Sequence, residues 1–179
     1  MIFFKHIDTP LGKMCIGATD EGVCLFDFQY RKSIDSIMAR IERLACDKFS
    51  EGEHVHFQTA EKQMGEYFSG ERKEFDVPLC LFGTPFQKSV WNGLIQIPYG
   101  ETRSYKQQSV VLGNEKAIRA VAGANGENGI AIIVPCHRVI GDNGSLVGYG
   151  GGLQRKKWLL EHERKYSGKT GQGSLFYTK

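Results

Sequence analysis

The hydrophobic pattern at the start of the chain predicts three short antiparallel strands. Apolar stretches over residues 2–7, 13–18 and 23–28 are separated by the turn signals Thr9-Pro10-Leu11-Gly12 and Asp20-Glu21-Gly22. Strands joined by such short turns pair with their sequence neighbours. The sequence therefore predicts an antiparallel meander.

Two helices and a domain boundary are predicted to follow this meander. Ser33 can cap an apolar repeat with helical spacing that begins at Ile34. A second helix is predicted from about Thr59 to Phe68, ending at Gly70. The chain then becomes extended, and we place the boundary near residue 80, so that residues 1–80 form an N-terminal α/β supporting domain.

The second half of the chain carries the start signals of several helices. Thr84-Pro85-Phe86-Gln87 provides an N-cap and a proline in the first helical position, and Ser104-Tyr105-Lys106-Gln107 is a capping box whose helix ends at Gly113. Asn114 is predicted to cap a third helix over about residues 115–125. The second and third of these helices form a helix-turn-helix, a motif that binds nucleic acid in some proteins and is purely structural in many others.

An apolar run and a final helix complete the second domain, predicted over residues 81–165. Residues 130–134 are predicted to be a buried strand that leads to Cys136, and the last helix is predicted over residues 153–164. The remaining residues, 166–179, are predicted to be a flexible tail. The side chains predicted to face the core of this domain are Phe86, Val90, Trp91, Leu94, Ile95, Ile118, Val121, Ala122, Trp158, Leu159 and Leu160.

Composition places the chain among soluble globular proteins. Its 179 residues are 41% hydrophobic and 24% charged, and no apolar run is long enough for a membrane-spanning helix. The first residues show no signal-peptide pattern. Five cysteines without CxxC spacing argue against a disulfide framework and for a reducing compartment. We expect a cytoplasmic protein, or a nuclear one if the source is a eukaryote.

Charge is distributed unevenly along the chain. Residues 1–84 carry a net charge of −4, whereas residues 85–165 carry +5. A basic second half favours an anionic partner on that half, although ordinary surface charge explains the difference equally well.

Cys136 differs from the other four cysteines in its sequence setting. Pro135 fixes the backbone before it, and His137 and Arg138 follow it. A cysteine reacts as the thiolate, and a nearby imidazole or other cation lowers the pKa of a thiol from about 8.5. We therefore predict a reactive Cys136 at a surface-facing edge. Packing roles are predicted for the other cysteines, Cys15, Cys24, Cys46 and Cys80.

The third predicted helix has an outward face that is almost bare. Arg119 and Gly123 lie four residues apart there, with Ala120 and Ala124 beside them. Small side chains let a helix approach DNA closely and insert its one long cation toward the base stack. The alternative is that alanine is simply the best helix former.

Five blocks in the second half strongly resemble the O6-alkylguanine-DNA alkyltransferases, also called methylated-DNA–protein-cysteine methyltransferases. These suicidal repair proteins move an alkyl group from guanine to one of their own cysteines. The blocks are Tyr99-Gly100-Glu101-Thr102-Arg103-Ser104-Tyr105, Arg119-Ala120-Val121, Asn125-Gly126-Glu127-Asn128, Ile133-Val134-Pro135-Cys136-His137-Arg138-Val139-Ile140 and Trp158-Leu159-Leu160-Glu161-His162-Glu163.

The resemblance implies a fold, a reaction and a partner. The fold would be α+β, with an N-terminal ribonuclease-H-like domain containing antiparallel strands and a C-terminal, mostly helical domain of winged helix-turn-helix type that carries the active site. The reaction would be a single, irreversible transfer from O6-alkylguanine, and from O4-alkylthymine, in double-stranded DNA, with weak sequence specificity and no cofactor. The protein would be a monomer that does not bind membranes, with cooperative assembly on DNA left open.

The resemblance also implies a role for individual residues. Cys136 would accept the alkyl group, His137 would act on it as a base through a water, Glu163 would orient His137, and Asn128 would brace the turn. Tyr105 would contact the 3′ phosphate of the target nucleotide and donate toward the departing guanine, and Arg119 would fill the gap left by the flipped nucleotide. The remaining implied DNA contacts are Ser104, Ala117, Ala120 and Gly123, and the implied pocket residues are Val139, Tyr149 and Gly150.

The chain departs from the family pattern at a few positions. The family often has proline where this chain has Gly129 and Ala131, and serine where it has Gly150. These departures predict a roomier pocket that admits alkyl groups larger than methyl. Some members bind zinc through N-terminal Cys and His, but the position aligned to one ligand is Ala18, and His54, His56 and Cys46 lack suitable spacing. We predict no metal.

Two other functions fit part of the same evidence. A Cys-His-Glu thiol hydrolase would use the same three side chains but leaves the bare helix face unexplained. A non-enzymatic helix-turn-helix regulator would not require Cys136, His137 and Glu163.

Overall fold

The protein, described here by a computed structural model over residues 1–168, divides into two compact units. The N-terminal unit comprises Met1–Thr84 together with Gly129–Ala131, and the C-terminal unit comprises Pro85–Asn128 and the chain from Ile132 onward. Most of the predicted tail, from residue 169, lies outside the described residues. No helix within residues 1–168 is both long and apolar enough to cross a membrane.

A four-stranded sheet forms the N-terminal unit together with two helices. Its strands are β1 (Ile2–Thr9), β2 (Gly12–Thr19), β3 (Gly22–Phe28) and β4 (Phe49–Glu51), in the order β3-β2-β1-β4. The first three pair antiparallel, so the predicted meander is confirmed, whereas β4 adds in parallel to β1 and was not predicted. With only three residues, β4 is too short to show a period in the sequence.

The helices of this unit are α1 (Ile34–Ala45) and α2 (Val55–Ser69). Ile37 and Ile41 on α1 pack with Leu25 of β3 in the core. Helix α2 begins four residues before its predicted start because the imidazole of His54 accepts a hydrogen bond from the backbone N–H of His56 and caps it. Histidine is not a usual capping residue, so the sequence rules did not find this start.

Up to residue 168, the C-terminal unit contains four α-helices and a two-stranded parallel sheet. Its elements are α3 (Pro85–Ile95), β5 (Arg103–Ser104), α4 (Tyr105–Val111), α5 (Ile118–Gly126), β6 (Val139–Ile140) and α6 (Leu153–Tyr166). Single 3₁₀ turns cover Glu115–Ala117 and Cys136–Arg138. The predicted capping box at Ser104 and Gln107 is confirmed by both reciprocal hydrogen bonds. Asn114 caps the first 3₁₀ turn rather than an α-helix.

The core of the C-terminal unit includes most, but not all, of the side chains predicted for it. Val90, Trp91, Leu94, Val121, Leu159 and Leu160 are buried, and the Trp91 indole donates to the Ala124 carbonyl at 2.9 Å. The prediction is wrong for Phe86, Ile95, Ile118 and Trp158, which are 36–41% exposed. Trp158 instead stacks on the His162 ring, with centroids 4.7 Å apart.

The predicted strand over residues 130–134 is wrong. Ile130 makes one isolated bridge to Phe26, and the chain then turns, with Ile132 at a φ of 73°. A left-handed backbone is rare for a β-branched residue and costs about 1–3 kcal/mol. All five residues are buried, so their apolar character reports burial without fixing the backbone conformation.

Candidate active site

The turn after Asn128 holds Cys136 in place. The Asn128 amide donates to the Val134 carbonyl at 2.8 Å and to the Cys136 Sγ at 3.2 Å. Cys136 opens a 3₁₀ turn and is 6% exposed, so the expected position at the surface-facing end of a strand is wrong. The buried side-chain amide of Asn128 thus closes the turn and fixes the thiol. Closing the turn stabilises the unusual backbone at Ile132.

His137 lies beside this thiol in sequence and is completely buried. Its Nε2 is 2.6 Å from the Glu163 Oε1, while its Nδ1 is buried without a hydrogen-bond partner in the described structure. A carboxylate only accepts hydrogen bonds, so Glu163 selects the tautomer with the proton on Nε2. The lone pair on Nδ1 is then available to accept a proton.

The Glu163 carboxylate receives donors from three residues. Besides His137, the Arg138 guanidinium donates at 2.9 Å to Oε2 and at 3.0 Å to Oε1, and the Gly100 N–H donates at 3.1 Å. Burial alone would raise the pKa of Glu163, but His137 and Arg138 outweigh it and hold that pKa far below its usual range. Glu163 is therefore a stable buried anion.

His137 is held in its neutral form at neutral pH. Burial lowers its pKa, Glu163 opposes that effect, and Arg138 and Lys156 add to it. The net result is a pKa below the ordinary value of an imidazole. A neutral imidazole is the form that acts as a base.

Tyr105 approaches the same region from helix α4. The parallel pairing of Arg103 with Val139 joins β5 to β6 and brings the start of α4 to the segment that follows Cys136. The Tyr105 hydroxyl donates to the Gly148 carbonyl at 3.0 Å. Burial, with a further contribution from Cys136, raises the pKa of Tyr105 to about 12, so its hydroxyl keeps its proton at neutral pH.

The outward face of α5 is as bare as the sequence predicted, with one exception. Arg119, Ala120 and Gly123 are exposed, and nothing lies within 4 Å of a Cβ placed on Gly123. Ala124 was expected on this face but is buried. The sequence placed Ala124 there because it follows Gly123, whereas in the structure its backbone carbonyl accepts the hydrogen bond of the Trp91 indole.

The other predicted site residues lie in varied environments. Ser104 is 8% exposed and its hydroxyl is used as a helix cap, and Ala117 is half-buried at the start of α5. The Tyr149 ring lies edge-on to His137, with centroids 6.5 Å apart, and Gly150 is exposed. Their roles stay predictions.

Two charged residues of the site have contacts that the sequence did not predict. Arg138 was expected only as a basic neighbour of Cys136, and no role was predicted for Lys156. Lys156 and Glu163 both lie on the face of α6 that carries the buried Leu159 and Leu160. Two charges in an apolar helical stripe are the signal that could have identified Lys156.

Gly129 does not enlarge the pocket in the way predicted from its departure from the family pattern. A Cβ at this position would lie 2.8 Å from the Cγ2 of Ile37, within the N-terminal unit. The glycine therefore accommodates helix α1. Among residues 1–168, no group of three or more His, Cys, Asp or Glu side chains could hold a metal ion.

Comparison with protein families gives two matches in chain order. Residues 2–81 match the 6-O-methylguanine DNA methyltransferase, ribonuclease-like domain, and residues 85–165 match the 6-O-methylguanine DNA methyltransferase, DNA binding domain. The methylated-DNA–protein-cysteine methyltransferase of Methanosarcina acetivorans is 46% identical over 162 residues, which cover 90% of this chain and 98% of that protein.

Solved structures show the same fold. A crystal structure of Mycobacterium tuberculosis OGT in complex with DNA superimposes with a TM-score of 0.81 at 41% identity, covering 92% of this chain and 94% of that one. The O6-methylguanine-DNA methyltransferase from Pyrococcus kodakaraensis KOD1 gives a TM-score of 0.63 at 25% identity, covering 91% of this chain and 99% of that one. The α+β fold is confirmed, and the alternatives of a thiol hydrolase or a non-enzymatic regulator find no support here.

Proposed function

The chain belongs to the 6-O-methylguanine DNA methyltransferase family, and from this premise we propose that it repairs double-stranded DNA by moving the alkyl group of O6-alkylguanine to Cys136. The observation that carries the proposal is the contact between the Nε2 of His137 and Glu163, which leaves the buried Nδ1 of His137 as a proton acceptor. O4-alkylthymine presents the same kind of alkyl–oxygen bond and is a second substrate in this proposal.

The transfer is a direct displacement at carbon. The sulfur of Cys136 attacks the alkyl carbon, and an S–C bond forms while the C–O6 bond breaks. The electron pair of the broken bond stays on the guanine, which leaves as an anion. The thiol proton passes through a water to His137, and the positive charge of the protonated His137 balances that anion. The Tyr105 hydroxyl donates a hydrogen bond to the departing base and so offsets the negative charge on it. To do this, the hydroxyl must first give up its hydrogen bond to the Gly148 carbonyl.

The product explains why one protein molecule serves one lesion. A thioether at Cys136 has no good leaving group, so water cannot regenerate the thiol. The reaction consumes the protein stoichiometrically and needs neither an external base nor a metal.

Access to the buried thiol requires the damaged base to leave the duplex. Cys136 is buried, whereas the bare face of α5 is exposed. In the proposal, this face lies against the DNA and Arg119 fills the space that the flipped nucleotide leaves. Contacts to phosphates carry no information about base identity, so binding has weak sequence specificity. In the proposal, the protein acts as a monomer.

The proposed function is tested by weighing the protein after incubation with duplex DNA that contains methylated guanine. We expect a gain of one methyl group per chain, with no further gain when more DNA is added. Turnover of an ester or amide would instead indicate a hydrolase, and DNA binding without a mass change would indicate a regulator. Either of these results would contradict the proposal.

Replacing Arg119 with alanine is expected to slow repair in duplex DNA far more than reaction with free O6-benzylguanine. The free base needs no flipping, whereas losing the inserted side chain weakens the flipped state by about 1.5–3 kcal/mol, or roughly 10- to 100-fold in rate. The measurement is the rate of alkyl gain on both substrates. Lys116→Ala, which removes a charge from the adjacent 3₁₀ turn, is the matched control. Equal losses on both substrates would refute the flipping role.

A further inference from the structure

Lys156 is a completely buried lysine in the C-terminal unit. Its ammonium group donates to the carbonyl oxygens of Val139 and Val147, the latter at 2.7 Å. It also lies 5.9 Å from the centroid of the Tyr105 ring. Within residues 1–168, no carboxylate pairs with it. Lysine is almost never fully buried unless it is paired, so this position requires an explanation.

The two carbonyls lie on either side of the loop that returns to α6. Val139 directly follows the 3₁₀ turn of Cys136, and Val147 directly precedes Gly148, whose carbonyl receives the Tyr105 hydroxyl. One side chain of α6 therefore fixes both sides of this loop. If Lys156 were absent, two buried carbonyls would lose a donor, which is unfavourable by itself.

The charge of Lys156 is the less expected part of this arrangement. Burial lowers its pKa to about 8, and a thiolate at Cys136 would oppose that effect. The other titratable groups nearby are His137, beside Cys136, and Tyr105 on α4. A neutral amine would also have two hydrogens for the two carbonyls, so hydrogen bonding alone does not require the charge.

We propose that Lys156 is a positioning residue for alkyl transfer, which holds the loop after Cys136 in place and supplies the positive charge that stabilises the Cys136 thiolate. This inference rests on the proposed function in one respect, namely that Cys136 is the acceptor. It assigns to Lys156 the role of counter-charge, while His137 removes the proton. The roles of Lys156 and His137 are separable, because neutralising the ammonium group of Lys156 removes the counter-charge but leaves His137 able to take the proton.

The test compares Lys156→Met and Lys156→Arg with Lys157→Met. Lys157 is the neighbouring residue on α6, is partly exposed and contacts Glu161 at 4.0 Å, so its substitution controls for the loss of one charge. Thermal unfolding identifies any variant that does not fold. The rate of alkyl gain from free O6-benzylguanine is measured against pH, which leaves DNA binding out of the comparison.

We expect Lys156→Met to react at least about tenfold more slowly at pH 7, equivalent to one unit in the acidity of the thiol. The ammonium charge is present below pH 8 and is lost above it. The wild-type rate should therefore stop rising above about pH 8, whereas Lys156→Arg, which does not titrate in this range, should continue to rise. A rate for Lys156→Met equal to that of wild type at pH 7, or a loss of rate in Lys156→Arg as large as in Lys156→Met, would overturn the role of the charge.

A second measurement does not depend on alkyl transfer. The ultraviolet absorbance of each variant, minus that of the same variant with Cys136→Ala, reports the fraction of Cys136 present as thiolate. We expect this fraction to fall in Lys156→Met and to stay at the wild-type level in Lys157→Met. Equal fractions in both would overturn the inference. If wild type gained no alkyl mass, the proposed function would fail, while the thiolate fraction would still decide the role of Lys156.

Discussion

Cys136→Ala is expected to abolish alkyl transfer completely while leaving the protein folded. The Cys136 sulfur is the atom that forms the new bond in the proposed reaction, and no other group of the site can replace a soft thiolate. The substitution removes one small, buried group that accepts a hydrogen bond from Asn128. Intact-mass measurement after incubation with methylated DNA should show no gain, and thermal unfolding should show a cooperative transition.

Two further variants make this result specific. Cys46→Ala removes an exposed thiol at the end of α1 and should gain one methyl group as the wild type does. Cys136→Ser keeps the Asn128 contact but replaces the thiol with a hydroxyl, which is not ionised at neutral pH, and should be inactive. A one-methyl gain in Cys136→Ala would contradict the proposal and point to another cysteine as the acceptor.

The sequence predicted best those elements whose signals are local. The capping box at Ser104 and Gln107 was predicted and is present because both hydrogen bonds depend only on residues within one helical turn. The meander β1-β2-β3 was equally predictable from its apolar stretches and the short turns between them. In contrast, β4 depends on parallel pairing with the edge of β1, and no local sequence pattern indicates it.

Errors arose where burial was taken as evidence of conformation or of packing. The apolar residues 130–134 are buried but form a turn, since Asn128 supplies a side-chain hydrogen bond that a strand would have obtained from a neighbouring strand. Cys46 was expected to pack in the core, but it occupies the left-handed C-cap position of α1 and is exposed. A cap position depends on where the helix ends, which the apolar repeat does not determine.

The candidate site was predicted mainly through its resemblance to a family, and its electrostatics were not. Neither the double contact of Arg138 with Glu163 nor the two carbonyl partners of Lys156 follow from sequence spacing, because both depend on how α6 packs within the C-terminal unit. The structure adds the reason that His137 stays neutral beside an anion: burial lowers the pKa of His137 more than Glu163 raises it, and Arg138 and Lys156 add to the effect of burial.

Glu163→Gln is expected to slow alkyl transfer and to destabilise the C-terminal unit. Glutamine has nearly the same shape but no charge, so it stabilises a protonated His137 poorly, and a lost general base lowers the rate by about 10²- to 10⁴-fold. It also leaves Arg138 as a buried cation without its partner, which costs about 3–5 kcal/mol of the free energy of unfolding. Reaction with free O6-benzylguanine and chemical denaturation measure the two effects separately. Glu161→Gln, an exposed position on the same helix, is the control.

The double variant Glu163→Gln/Arg138→Met separates chemistry from folding, because replacing both partners of a buried ion pair with neutral groups is often close to neutral for stability. We expect it to recover most of the lost free energy of unfolding but not the rate. Recovery of both would show that Glu163 serves only to pair with Arg138. The pH dependence supplies a further criterion. Since the pKa of Glu163 is depressed in the folded state, its contribution to stability is present above about pH 4.3 and is lost as the pH falls. The double variant should therefore lose less stability than wild type between about pH 5 and pH 3.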